Sequence, residues 1–264
     1  LLKIQNLYKT FNKNTVNQND LFNGLNLEVN KGDFVTIIGS NGAGKSTLMN
    51  IIAGSIKEDG GSIIIDGNEI NKVPEYKRSK YLGRVFQDPS KGVASHMTIL
   101  ENLSLAYNKG KRFNLSFGIS KKNVNMFKEM LSELKLGLED KLYTKVGLLS
   151  GGQRQALCLM MAVMQKPKVL LLDEHTAALD PKTSEIIIDL TEKIVNDNDI
   201  TTLMVTHNLN HAIKLGNRLI MMHTGNIVVD IKDNDKKGLT VEKLIENFNN
   251  IQGKEFLSDR VLLS

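Results

Sequence analysis

The sequence predicts an α/β fold organised around a largely parallel central sheet. Three short apolar runs at 34–38, 169–172 and 202–205 read as strands buried on both faces. Segments of helical periodicity separate them, and strands that alternate with helices pair in parallel. Ligands in such sheets bind at the C-terminal ends of the strands, so the residues just after each run are the ones to inspect.

Ahead of the first run, Leu25, Leu27 and Val29 alternate with Asn26 and Glu28, a half-buried strand pattern, and Lys31-Gly32-Asp33 is a turn. After it, Leu48, Met49, Ile51 and Ile52 recur at helical spacing until Gly54 stops the helix. Asp59-Gly60-Gly61 and Asp66-Gly67 are turns around a strand at 62–65. From 88 to about 145 the texture changes to apolar residues at helical spacing with charges and Asn between them. There Val124, Phe127, Met130, Leu131 and Leu134 form one helix face, and 109–122 reads as an exposed connection. A helix over 183–195 separates the second and third buried runs. From 232 onward the chain is polar and charged, with one short amphipathic helix.

At 264 residues, with 41% apolar and 24% charged side chains, the chain can bury a substantial core, which excludes wholesale disorder, collagen and coiled coil. Its single cysteine excludes an internal disulfide and any zinc site needing two cysteines; Cys158 lies in an apolar run and is expected to be buried and inert. The longest apolar stretch, 156–164, is far below the roughly 20 residues that span a bilayer. Leu1-Leu2-Lys3-Ile4 carries no secretory-signal pattern, and a start other than Met points to residues missing ahead of it. The net charge of +5 is spread along the chain and Trp is absent, so no nucleic-acid partner is expected.

Gly39-Ser40-Asn41-Gly42-Ala43-Gly44-Lys45-Ser46 fits G-x-x-x-x-G-K-[ST] at every fixed position, with a strand before and a helix after. The glycines let backbone N–H groups turn inward around phosphate oxygens, and the helix beginning near Lys45 points its positive end at the same anion. Lys45 supplies a charge for the β- and γ-phosphates, Ser46 a hydroxyl for Mg²⁺, and Thr47 a further phosphate contact. The second buried run ends in Asp173-Glu174. Core packing needs no carboxylate pair at a strand's end, but phosphoryl transfer does: Asp173 to hold Mg²⁺, largely through water, and Glu174 to take a proton from the attacking water.

Leu149-Ser150-Gly151-Gly152-Gln153, upstream of the carboxylate strand, resembles the signature motif of ATP-binding-cassette (ABC) ATPases. Other elements agree in order. Gln87 is similar to the Q-loop glutamine, a Mg²⁺ and γ-phosphate sensor; Asp180, in Ala178-Leu179-Asp180, to the D-loop; His207 to the switch histidine; and Phe11 to the aromatic residue that stacks on adenine, with Tyr8 as its rival. The resemblance covers residues 1 to about 230. It implies a P-loop NTPase core (1–87 and 146–230) with an N-terminal antiparallel β-subdomain, an inserted α-helical subdomain (88–145) and a C-terminal extension (231–264). It further implies ATP and Mg²⁺ as ligands, and a head-to-tail homodimer in which each ATP lies between one subunit's phosphate loop and the other's Ser150-Gly151-Gly152.

The fuller match is to stand-alone cassettes of bacterial importers, and 148–182 resembles a group of them often paired with binding proteins for aromatic amino acids or similar small solutes. That implies an integral membrane permease as partner, a solute-binding protein acting indirectly, and a place at the cytoplasmic face of the membrane. Within the insertion, 89–102 has the small and apolar residues of a groove for a permease helix. An exporter subunit is an alternative, because direction lies in the permease. A non-transport ATPase fits less well, for the chain has one cassette, a short insertion and one cysteine. The sequence departs from the family's pattern at His175, where Pro usually follows the catalytic Glu; the imidazole would either act at the γ-phosphate or be a surface substitution that restores a backbone N–H. After Gln153, Arg154 remains but Ala156 and Met161 stand where further arginines are usual, and Met160, Met161 and Met164 read as packing.

Overall fold

The computed structural model describes residues 1–110 and 123–252. Most of the connection expected at 109–122 lies outside the described residues. The chain divides into two compact units, one comprising Leu1–Tyr81 and the chain from Ile200 onward, the other Leu82–Asp199.

The first unit opens with β1 (Leu2–Phe11), β2 (Asn19–Val29) and β3 (Phe34–Ile38), then α1 (Lys45–Ala53), β4 (Gly60–Ile65), β5 (Asn68–Glu69) and α2 (Glu75–Arg78). Strands β2-β1-β4-β5 form an antiparallel sheet of four. Leu25, Leu27 and Val29 are buried while Asn26 and Glu28 are exposed, as their alternation predicts. The register sets Leu2 opposite Val29 and Ile4 opposite Leu27, so one apolar face is shared; a one-residue slip would turn it to solvent. Arg78 is buried beneath α1. Its guanidinium donates to the carbonyl of Ile52 at 3.0 Å, an acceptor that the helix end leaves open, and to that of Ile51 at 2.8 Å, which also accepts from Gly54 N–H.

The second unit contains β6 (Leu82–Val85), α3 (Ile99–Tyr107), α4 (Asn123–Ser132), α5 (Gly151–Val163), β7 (Val169–Asp173) and α6 (Pro181–Asn198). β6 and β7 run parallel, Leu82 beside Val169 and Val85 beside Leu172. Phe127 and Leu131 of α4 are buried as expected, and so is Leu134, although the helix has ended and Lys135 takes a left-handed φ of 54°.

The chain then returns to the first unit as β8 (Thr201–Val205), α7 (Leu209–Lys214), β9 (Arg218–His223), β10 (Asn226–Lys232), α8 (Asp233–Lys236) and α9 (Val241–Gln252). β3 has β8 on one side and β9 on the other, both parallel, and β10 closes β9 antiparallel. The mixed α/β class and the mostly parallel arrangement are therefore as predicted. The amphipathic helix after 232 belongs to the core: Leu244 of α9 is fully buried in a cluster with Leu209, Ala212 and Met221. Such burial of a leucine stabilises by roughly 1.5–3 kcal/mol.

Lys236 of α8 is also buried, with its ammonium donating to the carbonyls of Leu215 and, at 3.1 Å, Gly216. Burial pulls this ammonium down from 10.5 to about 8. The unfolded chain therefore holds the proton over a window in which the folded chain has shed it, and stability rises with pH between about 8 and 10.5. Replacing Lys236 by Met removes this titration. The stability of wild type minus that of Lys236→Met should grow by at most about 3 kcal/mol across the window, measured by denaturant unfolding at several pH values. A difference that is flat with pH would contradict the assignment.

Candidate active site

β3 runs straight into the glycine-rich loop. Gly39 has φ 146°, and a Cβ there would lie 2.1 Å from the Met222 carbonyl oxygen of β9, so only glycine lets the loop leave the sheet at this point. The Ala43 carbonyl accepts from Gly225 N–H at 3.1 Å, tying the loop to the β9–β10 turn. Gly44 is the N-cap of α1, and no side chain caps that end. The first N–H groups of a helix have no intrahelical acceptor, and with the helix dipole they form an anion site. Lys45 is only 5% exposed, and its ammonium donates to the carbonyls of Gly39 at 2.6 Å and Ser40 at 3.0 Å. Its charge is thus held inside the loop. Asn41, Gly42 and Ser46 are exposed and Thr47 is half-buried.

Two further expected residues belong to the same unit. Phe11, at the end of β1, is half-buried with the Lys9 ammonium 5.2 Å from its ring centre; Tyr8, its rival, is 44% exposed. His207 follows β8 by two residues. Its turn is pinned on both sides, because Asn208 N–H donates to Thr206 Oγ1 at 3.1 Å and Asn208 Oδ1 accepts from His211 N–H at 3.1 Å.

The carboxylates, the glutamine and the signature belong to the second unit. Gln87 is exposed just beyond β6, and the chain around it is gripped by α5: Gln155 Nε2 donates to Phe86 O at 3.4 Å, and Cys158 Sγ lies 3.3 Å from Pro89 O. Burial pushes the Cys158 thiol up to about 12, so it is inert at neutral pH, as its apolar setting predicts. Asp173 ends β7, and Arg84 of β6 approaches it to 3.7 Å while lying 4.5 Å from the Phe86 ring centre. Sequence reasoning missed Arg84 and Gln155. The signal for Arg84 is the β6–β7 register, which no local pattern carries. Glu174 stands directly after β7 in a left-handed conformation, φ 48°.

Ser150 is the N-cap of α5, and Gln153 completes a capping box: Ser150 Oγ accepts from Gln153 N–H at 3.2 Å, and Gln153 Oε1 from Ser150 N–H at 3.3 Å. Gln153 Nε2 also donates to Leu136 O at 3.1 Å, which joins the start of α5 to the segment after α4. Leu149 is buried, and Ser150 and Gly151 are exposed. Gly152 is small for a reason that the sequence conceals: a Cβ would sit 2.2 Å from Thr183 Cγ2 of α6. Asp180 caps α6 by accepting from Thr183 N–H at 3.1 Å, and its bonds to Thr183 hold its carboxyl below the usual range.

A model of the ABC transporter family matches residues 22–177, which include the phosphate loop, the signature and the carboxylate pair. The chain belongs to the ABC transporter family. A tyrosine transport ATP-binding protein of Clostridioides difficile is 53% identical, covering 94% of this ABC subunit and 98% of that chain. A phosphonates import ATP-binding protein of Oceanobacillus iheyensis is 33% identical over 98% of this chain and 99% of its own. A spermidine/putrescine import ATP-binding protein of Haemophilus influenzae is 35% identical, and the match spans 57% of its length. Among solved structures, an ATP-binding cassette in a dimeric post-hydrolysis state with ADP and phosphate has a TM-score of 0.75 at 31% identity, covering 88% of this chain and 98% of that one. The chain is accordingly the ATP-binding subunit of an ABC transporter, with the fold of an ABC ATPase cassette, and it hydrolyses ATP.

The ABC subunit corrects one expectation. His175 is not a surface substitution: it is 2% exposed, and its Nε2 lies 3.1 Å from Thr191 Oγ1 of α6. Of the three methionines after the signature, Met160 is buried and Met161 and Met164 are half-buried, as packing residues should be.

Proposed function

We propose that this ABC ATPase powers solute uptake through a separate membrane permease, and that the solute is an aromatic amino acid or a similar small molecule. The identity of 53% with a tyrosine transport ATP-binding protein, over nearly the full length of both chains, carries this reading. Among the described residues no helix is long and apolar enough to cross a membrane, which accords with a motor that docks on another chain at the cytoplasmic face. A solute-binding protein would act on it only through the permease.

In this reading Phe11 stacks on adenine, and residues 39–47 hold the phosphates through backbone N–H groups, Lys45, Ser46 and Thr47. The hydroxyl of Ser46, the carboxylate of Asp173 and the amide oxygen of Gln87 are hard oxygen donors. Mg²⁺ takes few protein ligands beside phosphate and water, so this donor set fits it. When bound, Mg²⁺ neutralises charge on the β- and γ-phosphates. Glu174 accepts the proton of the attacking water, His207 contacts the γ-phosphate, and Asp180 helps to shape the site. Leu149, Ser150, Gly151, Gly152 and Gln153 serve the ATP of a second copy in a head-to-tail homodimer. The dimeric state of a cassette of similar fold supports that assembly.

Residues 93–97 are the proposed docking surface for the permease. Asn102 of α3 is 1% exposed and holds this segment: Oδ1 accepts from Ala94 N–H at 2.8 Å, and Nδ2 donates to Ala94 O at 3.1 Å. Val93, Ala94 and Met97 are half-buried on this fixed frame, which gives a partner helix apolar side chains to pack against. Ala94→Arg should abolish co-purification of the permease and uptake of labelled tyrosine in cells, with ATP binding by the isolated subunit unchanged. Normal co-purification with normal uptake would move the docking surface elsewhere. Permease binding without uptake of any aromatic amino acid by the wild type would overturn the solute assignment.

A further inference from the structure

The residue after the proposed general base is buried, polar and tied to another element. Glu174 is in the left-handed region, which few non-glycine residues other than Asn and Asp occupy. Its carbonyl accepts from Ala177 N–H at 3.0 Å, which makes residues 174–177 a tight turn with His175 at the second position. That is the position at which a proline ring would preset the backbone. His175 has no such ring, but its imidazole is buried and meets Thr191, itself fully buried in the middle of α6.

The direction of that hydrogen bond follows from counting protons. A threonine hydroxyl has one hydrogen, and Thr191 donates it to the Ile187 carbonyl one turn back, at 2.7 Å. Its oxygen can then only accept from the ring, so His175 Nε2 carries the hydrogen and donates it. This holds for neutral and charged imidazole alike. The turn beneath Glu174 is thus bolted to the body of α6 through a side chain in place of a ring.

We propose that His175 is a positioning residue for Glu174: its Nε2–H, anchored on Thr191 Oγ1, holds the left-handed turn from which the Glu174 carboxylate reaches the attacking water. The inference rests on the reading of Glu174 as general base. A bond that sets an angle affects the chemical step and leaves ATP binding alone. Thr191→Val, which keeps the shape and loses the acceptor, should lower kcat about tenfold, since a misplaced catalytic group costs up to about 10²-fold. KM for ATP and the ATP-induced thermal shift should stay within twofold of wild type. Thr191→Ser, which keeps the hydroxyl, should restore kcat to within twofold. On the other side of the bond, His175→Leu should resemble Thr191→Val, and His175→Gln, with an amide N–H near the place of Nε2, should recover most of the rate. This second pair keeps the test intact should Thr191→Val not fold. The double variant His175→Leu/Thr191→Val should be no slower than the worse single one, as for two ends of one interaction. Serine as slow as valine, or multiplicative losses in the double variant, would overturn the proposal. Glu174→Gln run alongside separates the two readings: if it retains turnover, the general-base assignment fails; if it is dead while His175→Leu and Thr191→Val match wild type, only the positioning role fails.

Discussion

Glu174→Gln should bring steady-state ATP hydrolysis close to zero and leave ATP binding intact. The amide has the size of the carboxylate but cannot take a proton, and general-base catalysis contributes typically about 10²- to 10⁴-fold. Glu174 is half-buried at the end of β7, on a turn closed by its own carbonyl, so the substitution leaves that backbone bond in place. Because hydrolysis then no longer reopens the assembly, the variant should accumulate as an ATP-bound dimer. Phosphate release measures the first effect and size-exclusion chromatography with Mg-ATP the second. Turnover near the wild-type rate would remove Glu174 from the chemistry.

What the sequence discloses of this protein is what local backbone chemistry dictates. The phosphate loop is legible because Gly44 and Lys45 each answer a demand made within a few residues, an uncapped helix start and a charge folded over carbonyls, although the demand on Gly39 comes from Met222 of β9. The buried strands β3, β7 and β8 are legible because both of their faces are apolar. β9 and β10 are harder to see. β9 begins with a buried arginine, which is tolerable because Asp230 of β10 meets Arg218 at 2.7 Å in a two-pronged pair and the Glu28 carbonyl of β2 accepts from its Nη1. The true setting of His175 depends on Thr191, the size of Gly152 on Thr183, and the approach of Arg84 to Asp173 on strand register. Each is a contact between elements distant in sequence, and periodicity reports only which side of an element is apolar, not which residue it will meet.

Ser150→Arg should abolish hydrolysis while the isolated subunit still binds ATP. Ser150 is exposed at the start of α5, and its Oγ accepts from Gln153 N–H, so the substitution costs the fold only a helix cap, about 1 kcal/mol. The catalytic loss should be far larger. In the proposed head-to-tail dimer this helix start and its small residues approach the phosphates bound by the partner, where losing one preorganised donor costs on the order of 10²- to 10³-fold. An arginine there also fills the space that the phosphate needs. Mixing with Lys45→Ala tells this geometry from an ordinary active-site defect. Lys45→Ala removes the charge that the loop holds against Gly39 and Ser40, so that chain should lose ATP binding and, alone, all activity. In a head-to-tail heterodimer of the two variants, one site combines both lesions and the other carries neither. Two inactive proteins should therefore regain measurable hydrolysis when mixed, with a maximum near equal proportions. If each subunit instead served its own nucleotide, every site would carry one lesion and the mixture would stay inactive at all ratios. Full activity of Ser150→Arg alone would show that hydrolysis does not use the signature of a second copy.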